Sequence, residues 1–279
     1  MKIAVTTFFL IVLLALGGCQ RAPENALKKP LVVTSIPPYV SLIQAIVGET
    51  MVVESAIGPN LDPHTVEITP RQMQKLQHAS LFIGVGEGFE DRLIAAIKEY
   101  SQGLTILKLN QETPLLQSEG KEDLHFWLSP QSLALQTEIL VQALQKLNPE
   151  ESELYRVNGE MLLAKIEEIN HEIATILAPF SGKSIIVSHA ALGYFCHDYH
   201  LIQIPVEHEG KSAGPKDADR VLKLAEKSDV ICVFTAPQFD NKGAELIAKK
   251  LDLRIESFDP MSKDILETLL QIAYAIAES

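Results

Sequence analysis

The longest regular pattern in the chain is an uninterrupted stretch of helical periodicity over residues 150–178. Its apolar residues recur at alternating spacings of four and three, which places them on one face of an α-helix. That face is formed by Leu162, Ile166, Ile169, Ile173 and Ile176. At about 1.5 Å per residue this helix is about 40 Å long, enough to connect two lobes. A chain of 279 residues can supply two lobes of ordinary domain size.

Short β-branched runs alternate with helical stretches on both sides of this helix. The alternation is typical of mostly parallel sheets covered by helices on both faces. Strands are predicted at 31–36, 51–57, 81–85, 104–109, 184–187, 201–206, 230–234 and 254–258. Helices are predicted at 39–47, 70–79, 89–100, 131–147, 190–199, 215–226, 241–250 and 263–277. The predicted fold is α/β, with lobes over 31–149 and 179–279 joined by one long rigid helix over 150–178. A loose likeness between the segments at 81–85 and 230–234 hints that the two lobes are related.

Residues 1–18 have the pattern of a signal peptide. Lys2 precedes the apolar run from Ile3 to Leu16, which is too short for a comfortable membrane span. Leu16-Gly17-Gly18-Cys19 resembles the lipobox of bacterial lipoproteins, so we expect a lipid on Cys19 and a polar tether over residues 19–30. An ordinary signal peptide with a chance cysteine is the alternative. The mature protein is expected in the periplasm or at the cell surface.

The formal net charge of −12 bears on the class of partner. It argues against nucleic acid, which requires a surplus of Lys and Arg, and it suits a protein that attracts cations. An oxidising compartment allows a disulfide between Cys196 and Cys232, and the sequence leaves their pairing open. Cys232 lies in an apolar run, which favours a buried thiol.

Four residues with metal-ligating side chains are placed where a ligand would bind. His64, His189 and Asp259 each lie just past the carboxyl end of a predicted strand, and His125 lies between an acidic loop and a helix. In open α/β sheets, ligands bind at that edge. Three imidazoles and one carboxylate suit Zn²⁺ and also serve Mn²⁺ or Fe²⁺. Taken singly, each histidine is more simply explained as a hydrogen-bonded loop residue.

Five short motifs of the chain are distinctive when taken together. They are Asp62-Pro63-His64-Thr65 with Pro70, His125-Phe126-Trp127-Leu128-Ser129-Pro130, Ser188-His189-Ala190-Ala191 with Gly193-Tyr194-Phe195, Pro237-Gln238-Phe239 and Phe258-Asp259-Pro260. These motifs resemble those of one protein family, the cluster A-I solute-binding proteins of ABC importers for zinc and manganese (the ZnuA/TroA-like family). The resemblance covers nearly the whole mature chain.

The resemblance implies an extracytoplasmic, non-enzymatic binding protein that delivers a divalent metal, zinc first, to a membrane permease. It also implies ligation by His64, His125 and His189, with Asp259 or water as the fourth ligand, between two lobes of a monomer. The chain departs from the family pattern at Leu124, Ser129 and Ala236, which replace Pro, Asp and Glu. The loop over residues 112–123 is short and lacks the histidines common in zinc members.

Other interpretations of the sequence remain open. A manganese- or iron-specific member of the same family and a metal-binding surface adhesin would use the same fold. A zinc hydrolase would need a general base, for which Glu207 and Glu209 are the candidates. Cys196 and His200, four residues apart in a predicted helix, could share a face and hold a second metal.

Overall fold

The computed structural model describes residues 29–98, 103–118, 120–207 and 214–279. Residues 1–28, including Cys19, lie outside these ranges, so the signal peptide and the lipid attachment stay predictions. Within the described ranges, every helix is too short or too polar to cross a membrane.

The N-terminal lobe is built on a parallel four-stranded sheet in the order β2-β1-β3-β4. Its strands are β1 (Leu31–Thr34), β2 (Val52–Ser55), β3 (Ala79–Gly84) and β4 (Thr105–Lys108). Its helices are α1 (Pro38–Val47), α2 (Pro70–Leu76), α3 (Gly88–Lys98), α4 (Leu109–Glu112) and α5 (Pro130–Leu147). Two short strands, β5 (Gln117–Ser118) and β6 (Lys121–Glu122), pair antiparallel as a hairpin, and a 3₁₀ turn follows at Phe126–Leu128.

The C-terminal lobe repeats this topology with a second parallel sheet in the order β10-β9-β7-β8. Its strands are β7 (Ser184–Val187), β8 (Ile202–Pro205), β9 (Val230–Thr235) and β10 (Arg254–Ser257). Its helices are α7 (Gly193–Asp198), α8 (Pro215–Ala225), α9 (Lys242–Leu251) and α10 (Ile265–Ala277). Counted along the chain, both sheets run second, first, third, fourth. In both, the register shifts after the first residue of the central first strand, at Leu31 and at Ser184.

The predicted linking helix is present as α6 (Ser152–Leu177), with 26 residues and a 3₁₀ turn at each end. It packs against α1, α5 and α10 and so touches both lobes. Its buried face includes Leu162, Ile166, Ile169 and Ile173, as the periodicity predicts. Each such side chain contributes about 1.5–3 kcal/mol when fully buried. One continuous apolar core therefore runs from the first lobe through this helix into the second.

Two predicted helices are wrong at their ends. The helix predicted over 70–79 ends at Leu76, because Ala79 is buried in β3 and pairs with Leu31 in the sheet. The helix predicted over 190–199 begins at Gly193, because the preceding residues form the loop that carries His189 past the strand end. The acidic loop before His125 contains the β5–β6 hairpin, which the sequence analysis did not predict.

Candidate metal centre

The three motif histidines lie on loops from different parts of the chain. His64 lies beyond β2, and its loop is held by Asp62, whose carboxylate accepts from the His64 backbone N–H at 2.9 Å. An aspartate bonding to the backbone two residues on is an Asx turn, a local preference of this side chain. His125 directly precedes the 3₁₀ turn, and His189 lies two residues after β7. His125 and His189 are buried, whereas His64 is more exposed.

The structure brings the three imidazoles to one point between the lobes. The Nε2 atom of His189 lies 3.2 Å from Nε2 of His64 and 3.1 Å from Nε2 of His125. Within the described residues, these three side chains form the one group whose ligand atoms all lie within 4.8 Å of one another. Two loops of the N-terminal lobe and one of the C-terminal lobe are needed to assemble it.

Each imidazole is bonded through its other ring nitrogen to a carboxylate. His64 Nδ1 lies 3.1 Å from Glu87 Oε2, and His125 Nδ1 lies 2.8 Å from Asp123 Oδ1. His189 Nδ1 lies 2.6 Å from Glu207 Oε2. Such outer partners of ligating histidines fix the tautomer and orient the ring. The Nδ1 atoms therefore carry the protons, and three Nε2 lone pairs face one another.

Three lone pairs at this separation repel one another unless a cation lies between them. A tetrahedral zinc ion with Zn–N bonds of about 2.0–2.1 Å places its nitrogen ligands about 3.3 Å apart. The observed Nε2 separations of 3.1 and 3.2 Å are close to that value. The geometry therefore fits a small divalent metal held by three neutral imidazoles.

Burial lowers the pKa values of His64 and His189, and the nearby carboxylates raise them. Burial lowers the pKa of His64, but the hydrogen bond and charge of Glu87, with Asp62 and Glu207 further off, leave it above its ordinary value. Burial lowers the pKa of His189, and the hydrogen bond that its Nδ1–H donates to Glu207 does not fully offset this effect. His189 is thus kept neutral, the form that binds metals, while His64 is the ring that protonates more readily.

A cavity of about 400 Å³ adjoins the three histidines. The β5–β6 hairpin lines one side of it through Ser118, Lys121 and Glu122. The ring of Phe239 stacks on His189 with centroids 3.8 Å apart. The hairpin therefore borders the cavity, and an aromatic ring covers one face of His189.

Asp259, the other predicted ligand, lies outside the group of three. Its Oδ1 accepts from Nε2 of Gln238 at 2.7 Å and from the backbone N–H of Met261 at 2.9 Å. Its ligation of a metal stays a prediction.

The proposed second metal pair does not form on one helix. α7 ends at Asp198, and His200 has a positive φ of 58°, so Cys196 and His200 do not share a helix face. Cys196 and Cys232 are both buried free thiols. Burial raises the pKa of the Cys232 thiol to about 11, which makes it unreactive.

The sequence analysis did not identify the carboxylates Glu87 and Asp123 as partners of the histidines. Signals for both existed, since Glu87 follows β3 at the same sheet edge and Asp123 stands two residues before His125. From the sequence, Glu207 is a candidate base for hydrolysis or a strand-end residue near the cleft. In the structure its carboxylate is bonded to His189 Nδ1, and Glu209 lies outside the described residues.

Comparison with known proteins gives a consistent result over nearly the whole chain. A proposed metal-binding protein of Chlamydia trachomatis is 31% identical over 272 residues, 96% of this chain and 98% of that protein. The high-affinity zinc uptake system protein ZnuA of Bacillus subtilis is 23% identical, covering 89% of this chain and 84% of that protein. A crystal structure of ZnuA matches with a TM-score of 0.85 and 30% identity, covering 90% of this chain and 98% of that one.

The family model described as the periplasmic component A of zinc-uptake complexes, ZnuA, matches residues 32–277. Proteins of this type are solute-binding components of ABC transporters and not enzymes, which excludes the hydrolase interpretation. The loops, the histidine group and the match over the two lobes agree, and the chain belongs to the ZnuA family of periplasmic metal-binding proteins.

Proposed function

We propose that this protein captures a divalent transition metal, zinc in the first place, and delivers it to the permease of an ABC importer. Capture takes place outside the cytoplasmic membrane, by a monomer, through His64, His125 and His189. The observation that carries the proposal is the convergence of three Nε2 atoms whose partner Nδ1 atoms are all bonded to carboxylates.

The donor set favours zinc over manganese. Within the described residues, the group of ligand atoms consists of three imidazole nitrogens without a carboxylate oxygen. Imidazole suits Zn²⁺, whereas Mn²⁺ is better served by carboxylate, carbonyl and water oxygens. A manganese- or iron-specific role is the alternative. Elemental analysis of protein purified without added metal, followed by competition titration of Zn²⁺ against Mn²⁺ and Fe²⁺, decides between them.

The fourth position is proposed for Asp259 or water. Asp259 lies at the end of β10 in the lobe that also supplies His189, which places it at the correct edge of the sheet. Its present hydrogen bonds to Gln238 and to the Met261 N–H hold its Oδ1. Loss of Asp259 is therefore expected to weaken binding less than loss of any one histidine.

Thermal unfolding with zinc tests the site directly. The three histidines come from distant loops, so metal binds the folded state far better than the unfolded chain and its binding energy becomes stability. At free zinc one thousand times the dissociation constant, the gain is about 4 kcal/mol. We expect one zinc per chain in the wild type.

Alanine at His64, His125 or His189 should remove most of this zinc-induced shift. The matched controls are His78→Ala and His171→Ala, which change exposed histidines outside the group and should keep the full shift. A wild-type melting curve that zinc leaves unmoved, or a His189→Ala variant that still binds one zinc tightly, would show that the site is misplaced.

Attachment and delivery need separate tests. The lipobox-like sequence at Cys19 supports a lipid anchor, so the wild type should incorporate a fatty-acid probe and Cys19→Ala should not. Release of bound zinc when the loaded protein docks on its permease distinguishes a transport component from a surface adhesin. If the wild type and Cys19→Ala incorporated the fatty-acid probe equally, lipid attachment at Cys19 would be ruled out and plain secretion would remain.

A further inference from the structure

Gln238 contacts a metal-site loop in each lobe through one side-chain amide. Its Nε2 donates to the backbone carbonyl of Pro59 and to Oδ1 of Asp259, both at 2.7 Å. Pro59 lies in the loop that leads to His64, and Asp259 follows β10. One side chain thereby joins the His64 loop to the one predicted ligand that lies outside the histidine group.

The orientation of this amide is fixed by its partners. If the amide were flipped, its oxygen would face the Pro59 carbonyl and the Asp259 carboxylate, which have no proton to donate. Among the described residues, the buried Oε1 of Gln238 has no hydrogen-bond partner. Leaving a buried acceptor unsatisfied costs free energy, so the two donated bonds determine where this side chain points.

The bond to Gln238 restrains the Asp259 carboxylate. Oδ1 accepts two hydrogen bonds, from Gln238 and from the Met261 N–H, and Asp259 is not in the group of ligand atoms within 4.8 Å. To bind a metal between the histidines, this carboxylate would have to move, and its hydrogen bond to Gln238 would then be lost.

We propose that Gln238 is a specificity-determining residue, which keeps the Asp259 carboxylate out of the coordination sphere, so that of the two candidates for the fourth position, Asp259 and water, water takes it beside the three imidazoles. The inference rests on the proposed function, since it concerns the choice among metals at that site. A site of three nitrogens favours Zn²⁺, and an added carboxylate oxygen improves the site for the harder Mn²⁺. Gln238 thus selects for zinc without touching the metal.

The test compares the ratio of Zn²⁺ to Mn²⁺ affinity in wild type, Gln238→Ala and Gln238→Met. Both variants remove the amide donor, and Met keeps most of the side-chain volume should the Ala variant fold poorly. We expect either variant to lower the ratio by about tenfold, which corresponds to about 1.4 kcal/mol. In a protein that already carries Asp259→Asn, the same Gln238 substitutions should leave the ratio of Zn²⁺ to Mn²⁺ affinity unchanged.

Gln72→Ala is the matched control. Gln72 Nε2 donates to the Ala56 carbonyl at 2.8 Å, so it also ties down the chain leading to His64, but its hydrogen bonds within the described residues go to Ala56 and Thr69 and not to Asp259. The ratio of Zn²⁺ to Mn²⁺ affinity in Gln72→Ala should equal that of the wild type. Cobalt-substituted protein gives a second readout, because the visible bands of Co²⁺ report its coordination geometry, and only the Gln238 variants should change them.

An unchanged ratio in both Gln238 variants would overturn the inference. An equal fall of the affinity ratio in proteins that carry Asp259→Asn would also overturn it, because Gln238 would then act through the His64 loop alone. A wild type that binds neither metal would instead refute the proposed function, and it would be seen before any variant is compared.

Discussion

Ser129 and Asp198 form a hydrogen bond between the two lobes, with Ser129 Oγ 2.5 Å from Asp198 Oδ2. The same Oγ accepts from the Ser132 N–H at 3.0 Å and so caps the first turn of α5. Asp198 is the last residue of α7 in the opposite lobe. One hydroxyl therefore fixes both the start of a helix and the contact between lobes.

Ser129→Ala should destabilise the protein through both bonds. Loss of an N-cap costs about 0.5–2 kcal/mol. Removing the donor to the half-buried Asp198 adds about 1–3 kcal/mol for an acceptor left without its partner. Urea unfolding measures the difference, with Ser132→Ala as control, since that variant keeps the backbone N–H. A loss in Ser129→Ala no larger than in the control would contradict this role.

Asp198→Asn should stabilise the protein relative to wild type increasingly as pH rises. Burial raises the pKa of Asp198 above its ordinary value of 3.8, although hydrogen bonds from Ser129 and His197 oppose it. The folded state therefore holds the proton more tightly than the unfolded chain, and unfolding free energy falls as pH rises through the folded pKa. Asparagine cannot ionise and can still accept from Ser129.

Melting curves of Asp198→Asn and wild type from about pH 4 to about pH 8 measure this effect. The Tm of the variant minus that of the wild type should become more positive with pH. Asp229→Asn is a control, because Asp229 is exposed and pairs with Lys183 at the surface. A difference for Asp198→Asn that stays constant over the range would show that its ionisation does not cost stability.

Local patterns predicted the framework because they depend on short-range periodicity. The apolar face of α6 follows from spacings of three and four, and the positions of His64 and His189 follow from the rule that parallel strands present ligands at their carboxyl ends. The likeness between 81–85 and 230–234 is now explained, since β3 and β9 hold the same place in the two sheets.

Contacts between distant segments could not be predicted in this way. The partner of His64 is Glu87, 23 residues away, and that of Ser129 is Asp198, 69 residues away. Neither spacing matches the period of a helix or a strand, so these two contacts are seen only once the lobes are assembled. The strands β5 and β6 have two residues each, too few for an alternating pattern to be recognised.

Gly159→Val should destabilise the contact between α6 and α5. A Cβ added at Gly159 would collide with the side chain of Val141, so the two helices approach closely only because this position lacks a side chain. Overpacking of this kind costs about 1–3 kcal/mol. Ala164→Val, at an exposed position of the same helix, adds bulk without that collision and should cost much less. Equal losses in chemical denaturation would rule out the packing explanation.

Glu87→Gln should weaken zinc binding while moving its pH dependence to lower pH. Loss of an outer carboxylate typically costs about 10–100-fold in metal affinity, because the ring it oriented is freed. Burial lowers the pKa of His64, but Glu87, together with Asp62 and Glu207, raises it above its ordinary 6.5, so in the wild type protons begin to displace metal above that pH. Without the charge of Glu87, the His64 pKa falls and protons compete only at lower pH.

Titration of zinc at several pH values separates the two effects of Glu87. At high pH, where His64 is neutral in both proteins, the loss of affinity reports orientation alone, and the shift in the pH midpoint reports the lost charge. Asp91→Asn on helix α3, which begins directly after Glu87, is the control, since Asp91 is exposed and pairs with Lys108. A Glu87→Gln variant with wild-type affinity at every pH would mean that this carboxylate neither orients His64 nor sets its proton affinity.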